Sequence, residues 1–324
     1  MKFHLDFPIP PLEPPMGYDQ PILLMGSCFS ERIGALLMQY KFDPLVNPNG
    51  IIFNPESIAD ALEGYLDHKQ YDRKELFYFE GLWHSWDHHG RFSGPDPGDC
   101  LARINAFQQR ASERIKNARW LILSFGSAHA YKLAGKERVV TNCHKMPATG
   151  FEKILLKPAR IIALLDHFLH RLFQLNAGVR VIFTVSPVRY IRDGIIEDNL
   201  SKSMLLTSVH HLVNKFDRLY YFPAFELVTD DLRDYRFYER DMVHPNEAAI
   251  DYVWEKFVNY GMDGASRQLL KEVEDIVRAA AHVPVNPETV AHRNFCTMQM
   301  ERIRLMEARF PFLDFSREKV KFGC

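Results

Sequence analysis

The sequence predicts an α/β fold, a mostly parallel sheet covered by helices on both faces. Three observations predict it. Short, continuous apolar runs end abruptly at glycine or at Ser-Pro, as strands buried on both faces do. These runs alternate with stretches of helical periodicity. The 324 residues, 47% of them apolar, are enough for a large core with additions.

Residues 1–20 are proline-rich and read as an extended arm. Pro21-Ile22-Leu23-Leu24-Met25 is a first buried strand, stopped by Gly26. Helical spacing begins near Phe29, with Ile33, Leu36 and Leu37 on one face and Tyr40 close by. The stretch from Val46 to Pro55 reads as a loop. Asn54 or Ser57 then caps a helix through about residue 67, with Pro55 in its first turn. Residues 70–99, rich in aromatics, His and Gly, read as an insertion of short strands or loops. A helix over about 100–117 leads to the second strand, Trp120 to Phe125, stopped by Gly126. An irregular excursion over 127–150 precedes an amphipathic helix over 159–175, with Ile161, Leu164, Leu165, Phe168 and Leu172 on one face. Val179 to Val185 is the third strand and ends at Ser186-Pro187. A helix over about 197–216 leads to the fourth strand, Leu219 to Phe222. Asp230 to Asp234 reads as a charged turn. Pro245 suits the first turn of a helix running to about Tyr260. Residues 264–310 read as two more helices parted by residues 283–287. The expected organisation is an α/β unit over 1–262, with the insertion at about 70–99, and a helical extension over 263–324.

Composition narrows the function. Forty Lys and Arg against 41 Asp and Glu leave a net charge of −1, without the basic excess that nucleic acid or an anionic membrane demands. No run approaches 18 apolar residues, and the N-terminus has no long apolar core of a signal peptide. Five scattered cysteines form no CxxC pair, so neither a disulfide scaffold nor a cysteine metal cage is expected. No GxxxxGK[ST], GxGxxG or HExxH occurs, and no cofactor or metal is expected. The expectation is a soluble protein of a reducing, cytoplasmic compartment.

In a parallel sheet, functional groups gather at the carboxyl ends of the strands. Three segments fall there. In Gly26-Ser27-Cys28-Phe29-Ser30 a strand turns sharply into a helix. The unpaired N–H groups of that helix start favour a thiolate or an oxyanion. Cys28, with Ser27 as the alternative, is placed as a nucleophile; the plainer reading is a buried, inert cysteine. In Asp241-Met242-Val243-His244 the carboxylate is close enough in the chain to orient the imidazole as a general base. The plainer reading is a polar loop before a helix. In Asn142-Cys143-His144-Lys145, neighbouring side chains of an extended segment diverge, so Cys143 and His144 do not form a dyad. Asn142 serves as an oxyanion donor, or the segment is a structural loop. Trp83-His84-Ser85-Trp86-Asp87-His88-His89 reads as a substrate-contacting or lid segment, with His84 and His89 as contacts, or as an exposed aromatic loop.

Taken in order, these segments resemble the GSCFA family. Gly26 to Ser30 matches its signature, with Ser30 where the name has alanine. Phe125-Gly126-Ser127-Ala128, Asn142 to Lys145, Thr184-Val185-Ser186-Pro187-Val188 and Asp241 to Pro245 resemble its recurring blocks, covering about residues 20–260. That family is similar to the SGNH (GDSL-like) hydrolases. The resemblance implies a three-layer α/β/α, flavodoxin-like fold and hydrolysis or transfer of an acyl ester; the aromatic, His-rich insertion suits a polar substrate such as an acylated carbohydrate. Carried over by motif, Gly-Asp-Ser falls on Gly26, Ser27 and Cys28, which puts the nucleophile at Cys28. The second-block glycine is Gly50. The third block falls on Gly126-Ser127-Ala128-His129 and lacks its asparagine, for which Asn142 substitutes; His144 lies beside it. The last block is Asp241 and His244.

Overall fold

The computed structural model describes residues 7–323. In chain order the elements are β1 (Ile22–Gly26), α1 (Cys28–Gln39), β2 (Pro44–Val46), α2 (Pro55–Leu66), β3 (Leu76–Phe79), β4 (Leu82–Ser85), α3 (Pro97–Asn117) and β5 (Trp120–Phe125). Then follow β6 (His129–Leu133), β7 (Val139–Val140), β8 (Phe151–Leu155), α4 (Pro158–Leu175), β9 (Arg180–Val185), α5 (Ile195–Lys215) and β10 (Leu219–Tyr221). The chain closes with α6 (Ala224–Glu226), α7 (Glu247–Gly261), α8 (Gly264–Ala281), α9 (Val290–Arg309) and α10 (Ser316–Phe322).

The central sheet has the order β2-β1-β5-β9-β10, and every pair in it is parallel. Ranked by chain position, its strands run 2-1-3-4-5, the flavodoxin-like order. The chain leaves β1 for the β2 edge and returns across it to β5. The carboxyl ends of β1 and β5 therefore flank the point where the winding reverses, and Gly26 pairs with Ser124 there.

Successive residues of a strand point to opposite faces, so a run apolar at every position needs two cores. The sheet has them. Ile22, Leu24, Ile122 and Ile182 enter one core, with α1 and α7. Leu23, Met25, Leu121, Leu123, Val181 and Phe183 enter the other, with α2, α3, α4 and α5. The layers are thus helices, sheet, helices, a three-layer α/β/α arrangement. Leu269, Val273, Ile276, Cys296, Ile303, Met306 and Phe315 of the last helices and their connections join the first core. Residues 263–323 therefore thicken one helical layer. The N-terminal arm seals the same side: Leu12 and Met16 donate backbone hydrogen bonds to Tyr260 O and Gly261 O, both at 2.7 Å. Among the described residues no helix is long and apolar enough to cross a membrane.

Several elements depart from the sequence reading. The sheet has a fifth strand, β2, only three residues long and begun by a proline. An edge strand tolerates Pro44 because it pairs on one side only. The excursion over 127–150 is ordered, with β6 pairing antiparallel to both β7 and β8. Pro245 precedes the α7 cap, Asn246, whose side chain accepts from Ala249 N at 3.2 Å. The cap of α2 is Asn54, which accepts from Ser57 N at 2.8 Å, while Ser57 lies within the helix. The insertion forms the β3–β4 hairpin, which packs Leu76 with Phe92, Cys100 and Ile104 in a third, smaller core.

The turn from β1 to α1 needs glycine. Gly26 has φ +144, and a Cβ there would lie 2.1 Å from Ser124 O. Gly26→Ala is therefore expected to lower unfolding free energy by about 1–3 kcal/mol or more, read by denaturant titration. A wild-type midpoint in that variant contradicts the close approach of β1 to β5.

Candidate active site

Gly26 ends β1 with its N–H donated to Asn47 Oδ1 at 2.8 Å, and the chain turns directly into α1. Ser27 is the helix N-cap, and its side chain caps nothing. It is buried, its Oγ 3.3 Å from Ser124 Oγ. Cys28 is the first helical residue and is half-buried. Burial pushes its thiol up from the ordinary range, against the pull of the Cys28 and Phe29 N–H groups and of the Lys202 ammonium. At rest Cys28 is a thiol, so a nucleophilic role requires a base.

The base candidate is His244. Its Nδ1–H donates to Asp241 Oδ2 at 2.7 Å. Asp241 Oδ1 accepts from the backbone N–H groups of Val243 and His244, at 2.9 and 3.0 Å. Those hydrogen bonds hold the Asp241 carboxyl down at about 2, so it is a carboxylate throughout the working range. Committing Nδ1–H to Asp241 leaves Nε2 as the basic nitrogen.

Cys28, Ser27 and His244 line one cavity of about 280 Å³. Gly126, Ser127 and Ser186 share it, together with Ile51, Phe53, Val188, Tyr190, Ile191 and Val243. Four of the sequence blocks thus converge at the carboxyl edge of the sheet. Among the described residues, neither Cys28 nor Ser27 is hydrogen-bonded to His244.

The residues expected as oxyanion donors lie away from the cavity or have their N–H groups bonded elsewhere. Gly50 is outside the cavity lining, and its N–H is donated to Asn47 O at 2.8 Å. The N–H groups of Gly126 and Ser127 are both donated to Phe53 O, at 2.8 and 3.2 Å. Asn142 also lies outside the lining and accepts from His144 N at 2.7 Å. Among the described residues, the Cys28 and Phe29 N–H groups of the first turn of α1 are bonded to no carbonyl and are directed at the Cys28 sulfur.

The histidines of the insertion and His144 build their own core instead of the cavity. His144 donates from Nε2 to Ser85 O at 2.8 Å and packs its Nδ1 3.1 Å from His84 Nδ1. His84 also meets Ser93 Oγ at 2.7 Å. Burial holds His144 down at about 4 and His88 at about 3, so both rings are neutral near pH 7. His89 caps the turn at Gly90 and packs its Cβ where a Gly50 side chain would stand. The segment is neither an exposed loop nor part of the cavity wall. A larger cleft of about 500 Å³ beside α2 and the insertion is lined mostly by paired charges, among them Lys69 with Glu75 and Asp87, Arg138 with Asp87, and Arg160 with Glu56, and by Asp60, whose carboxyl is pushed up to about 6 by burial and the nearby Glu56 and Asp87. It has no nucleophile–base pair. Among the described residues no three His, Cys, Asp or Glu side chains are placed to hold a metal ion.

Sequence reasoning missed a polar clamp on α5. Lys202, 1% exposed, donates to the carbonyls of Gly126 (2.6 Å), Ser186 (2.7 Å) and Val188 (3.0 Å). Ser201 Oγ accepts from Ala128 N at 2.7 Å. Asp198 accepts from Arg189 and from Tyr190 N, at 3.2 and 3.1 Å. Each of these bonds fixes a loop that lines the cavity. The signal was there to read: Asp198 and Lys202 occupy the same stripe of α5 as the core residues Leu205, Val209 and Leu212. Polar residues at core positions have to find partners.

Burial pushes Lys202 down to about 8, with Asp198 opposing, and its three bonds use all its donors. The pH midpoint for alkylation of Cys28 by iodoacetamide, mapped by mass spectrometry, is expected above that of an exposed cysteine. Lys202→Met is expected to move it further up, because a cation that favours the thiolate is gone. A midpoint at or below that of an exposed cysteine contradicts this electrostatic account.

Two family models match the chain. One, described as the GSCFA family, covers residues 21–257. The other, described as the C-terminal domain of GSCFA domain proteins, covers residues 273–323. No curated protein matches the chain. The first model spans β1 through α7, with every segment that lines the cavity, and the chain belongs to the GSCFA family.

Proposed function

We propose that the protein is an acyl-ester hydrolase, with Cys28 as nucleophile, His244 as general base and Asp241 as the group that orients it. The observation that carries this reading is the shared cavity, in which a half-buried thiol at a helix start faces the same space as an imidazole whose other nitrogen is held by a carboxylate. The resemblance of the chain's sequence blocks to those of the SGNH hydrolases is in keeping with it. Cys28 is preferred over Ser27, which is more buried and is engaged with Ser124.

In this mechanism His244 Nε2 takes the proton from Cys28 Sγ as the sulfur attacks the ester carbonyl carbon. The Cys28 and Phe29 N–H groups receive the developing oxyanion, aided by the helix dipole. The imidazolium, steadied by ionised Asp241, returns the proton to the departing alkoxide, and a thioester remains on Cys28. Water, deprotonated by His244, then releases the acid and restores the thiol. An acceptor hydroxyl entering in place of water would make the protein an acyltransferase, and the half-buried thiol favours that outcome. The lack of a direct Cys28–His244 hydrogen bond among the described residues favours a further reading, a catalytically idle binding protein for a glycan or partner. Catalytic hydrogen bonds often form only with substrate in place.

Turnover of p-nitrophenyl esters tests the assignment. Cys28→Ala and His244→Ala are each expected to lower kcat/KM by about a thousandfold or more, and Asp241→Asn by roughly 10²–10⁴. Turnover of all three at the wild-type rate contradicts the hydrolase reading.

A further inference from the structure

We infer that the cavity beside Cys28 takes an apolar acyl chain of roughly six to ten carbons, so that the substrate is an ester of such a chain and not an acetyl ester. The inference rests on the hydrolase reading for where the ester lies, but not for the chain site itself.

Size is the first argument. An apolar protein cavity of about 150 Å³ accommodates a six-carbon ring. The present one, of about 280 Å³, is nearly twice as large and far exceeds an acetyl methyl group.

Chemistry is the second. The lining includes Ile51, Phe53, Val188, Ile191 and Val243. Most of its polar members have their polar atoms committed elsewhere. The Gly126 and Ser127 N–H groups go to Phe53 O, and the Ser186 N–H goes to Phe125 O at 2.8 Å. The carbonyls of Gly126, Ser186 and Val188 go to Lys202. Arg189 is bonded through Nη1 to Asp198 and Asn199, and the Tyr190 hydroxyl to Tyr131. What remains for a ligand is mainly carbon, with polar groups at Cys28, His244, the rest of the Arg189 guanidinium and the helix start. A sugar ring there would leave its hydroxyls unpaired; the alcohol portion belongs outside.

The third argument is exposure. Ile191 lines the cavity and is 51% exposed. On the next turns of the chain Ile195, Ile196 and Leu200 are exposed, and so is Met242, two residues before His244. Large apolar side chains gathered on the segments that border a cavity are accounted for when an apolar ligand covers them. An acetyl ester covers none of them.

Each methylene moved from water into an apolar site is worth roughly a fourfold gain in affinity. Calorimetric binding of acetate, butyrate, hexanoate, octanoate and decanoate to the Cys28→Ala protein is expected to tighten by about that step per carbon, then to level off near the last members. Ile191→Asp, at a half-exposed position the fold tolerates, is expected to weaken octanoate tenfold or more. Ile51→Trp is expected to move the plateau to shorter chains. In the active protein, octanoyl esters of glycerol and of glucose report which alcohol accompanies the chain. Either one hydrolysed ahead of its acetyl counterpart supports the site. Octanoate bound no more tightly than acetate, with acetyl esters turned over as fast as octanoyl ones, overturns the chain site and leaves the hydrolase standing. Chain-length-dependent binding with no turnover of any ester supports the chain site and overturns the hydrolase.

Discussion

One ammonium group organises the functional end of this protein. Lys202 sits fully buried under the carboxyl ends of β5 and β9, and its three protons meet three backbone carbonyls. Loops leaving a parallel sheet diverge, and here backbone bonds hold only their first residues, with Ser186 N–H on Phe125 O and the Gly126 and Ser127 N–H groups on Phe53 O. Lys202 closes the gap between the loop at Gly126 and the loop from Ser186 to Val188. Ser201 and Asp198, on the same side of α5, add bonds to Ala128 and Tyr190. The desolvation of that charge is offset only because every donor is satisfied, which is the condition for a buried lysine to be tolerated. The cavity wall is a consequence of this clamp, and the ammonium also leaves a positive potential beside Cys28.

The fold was legible wherever a segment carried an unmixed signal. The strands from Ile22, Trp120 and Arg180 are apolar on both faces, and the structure shows the two cores that such runs require. The helix start at Pro55 follows from proline at the first turn, and α3 and α4 begin at Pro97 and Pro158, slightly before the expected 100 and 159. What was illegible was short or shaped by tertiary contact. Pro44–Val46 is too brief to show a period, and its strand character comes from pairing with β1. The β6–β8 sheet lies in polar sequence whose alternation is broken by tight turns.

The site was legible in its first and last blocks because each is local. Asp241 and His244 are three residues apart and bond within one turn. Gly26 and Cys28 are joined by a turn that only glycine makes. The oxyanion donors and the roles of the histidines were not legible, because they depend on what each backbone N–H and each ring is already bonded to. Gly50 carries the expected residue type but has given its N–H to Asn47, and Asn142 is bound into its own loop. The insertion histidines and His144 are rich in potential chemistry, yet burial holds His88 and His144 neutral and their partners are structural. Lys202 went unread because a lysine on a helix is ordinarily exposed; its place in the stripe of Leu205 and Val209 was the clue.

The account depends on a thiol and an imidazole, 216 positions apart by their residue numbers 28 and 244, acting on one carbonyl. The most direct measurement is mass-spectrometric mapping of the acyl group left on the protein by an activated octanoyl ester, in the native chain and in His244→Ala. The account predicts a single thioester on Cys28 that is lost when His244 is removed. Acylation spread over the cysteines as in unfolded chain, or a Cys28 adduct indifferent to His244, would contradict it.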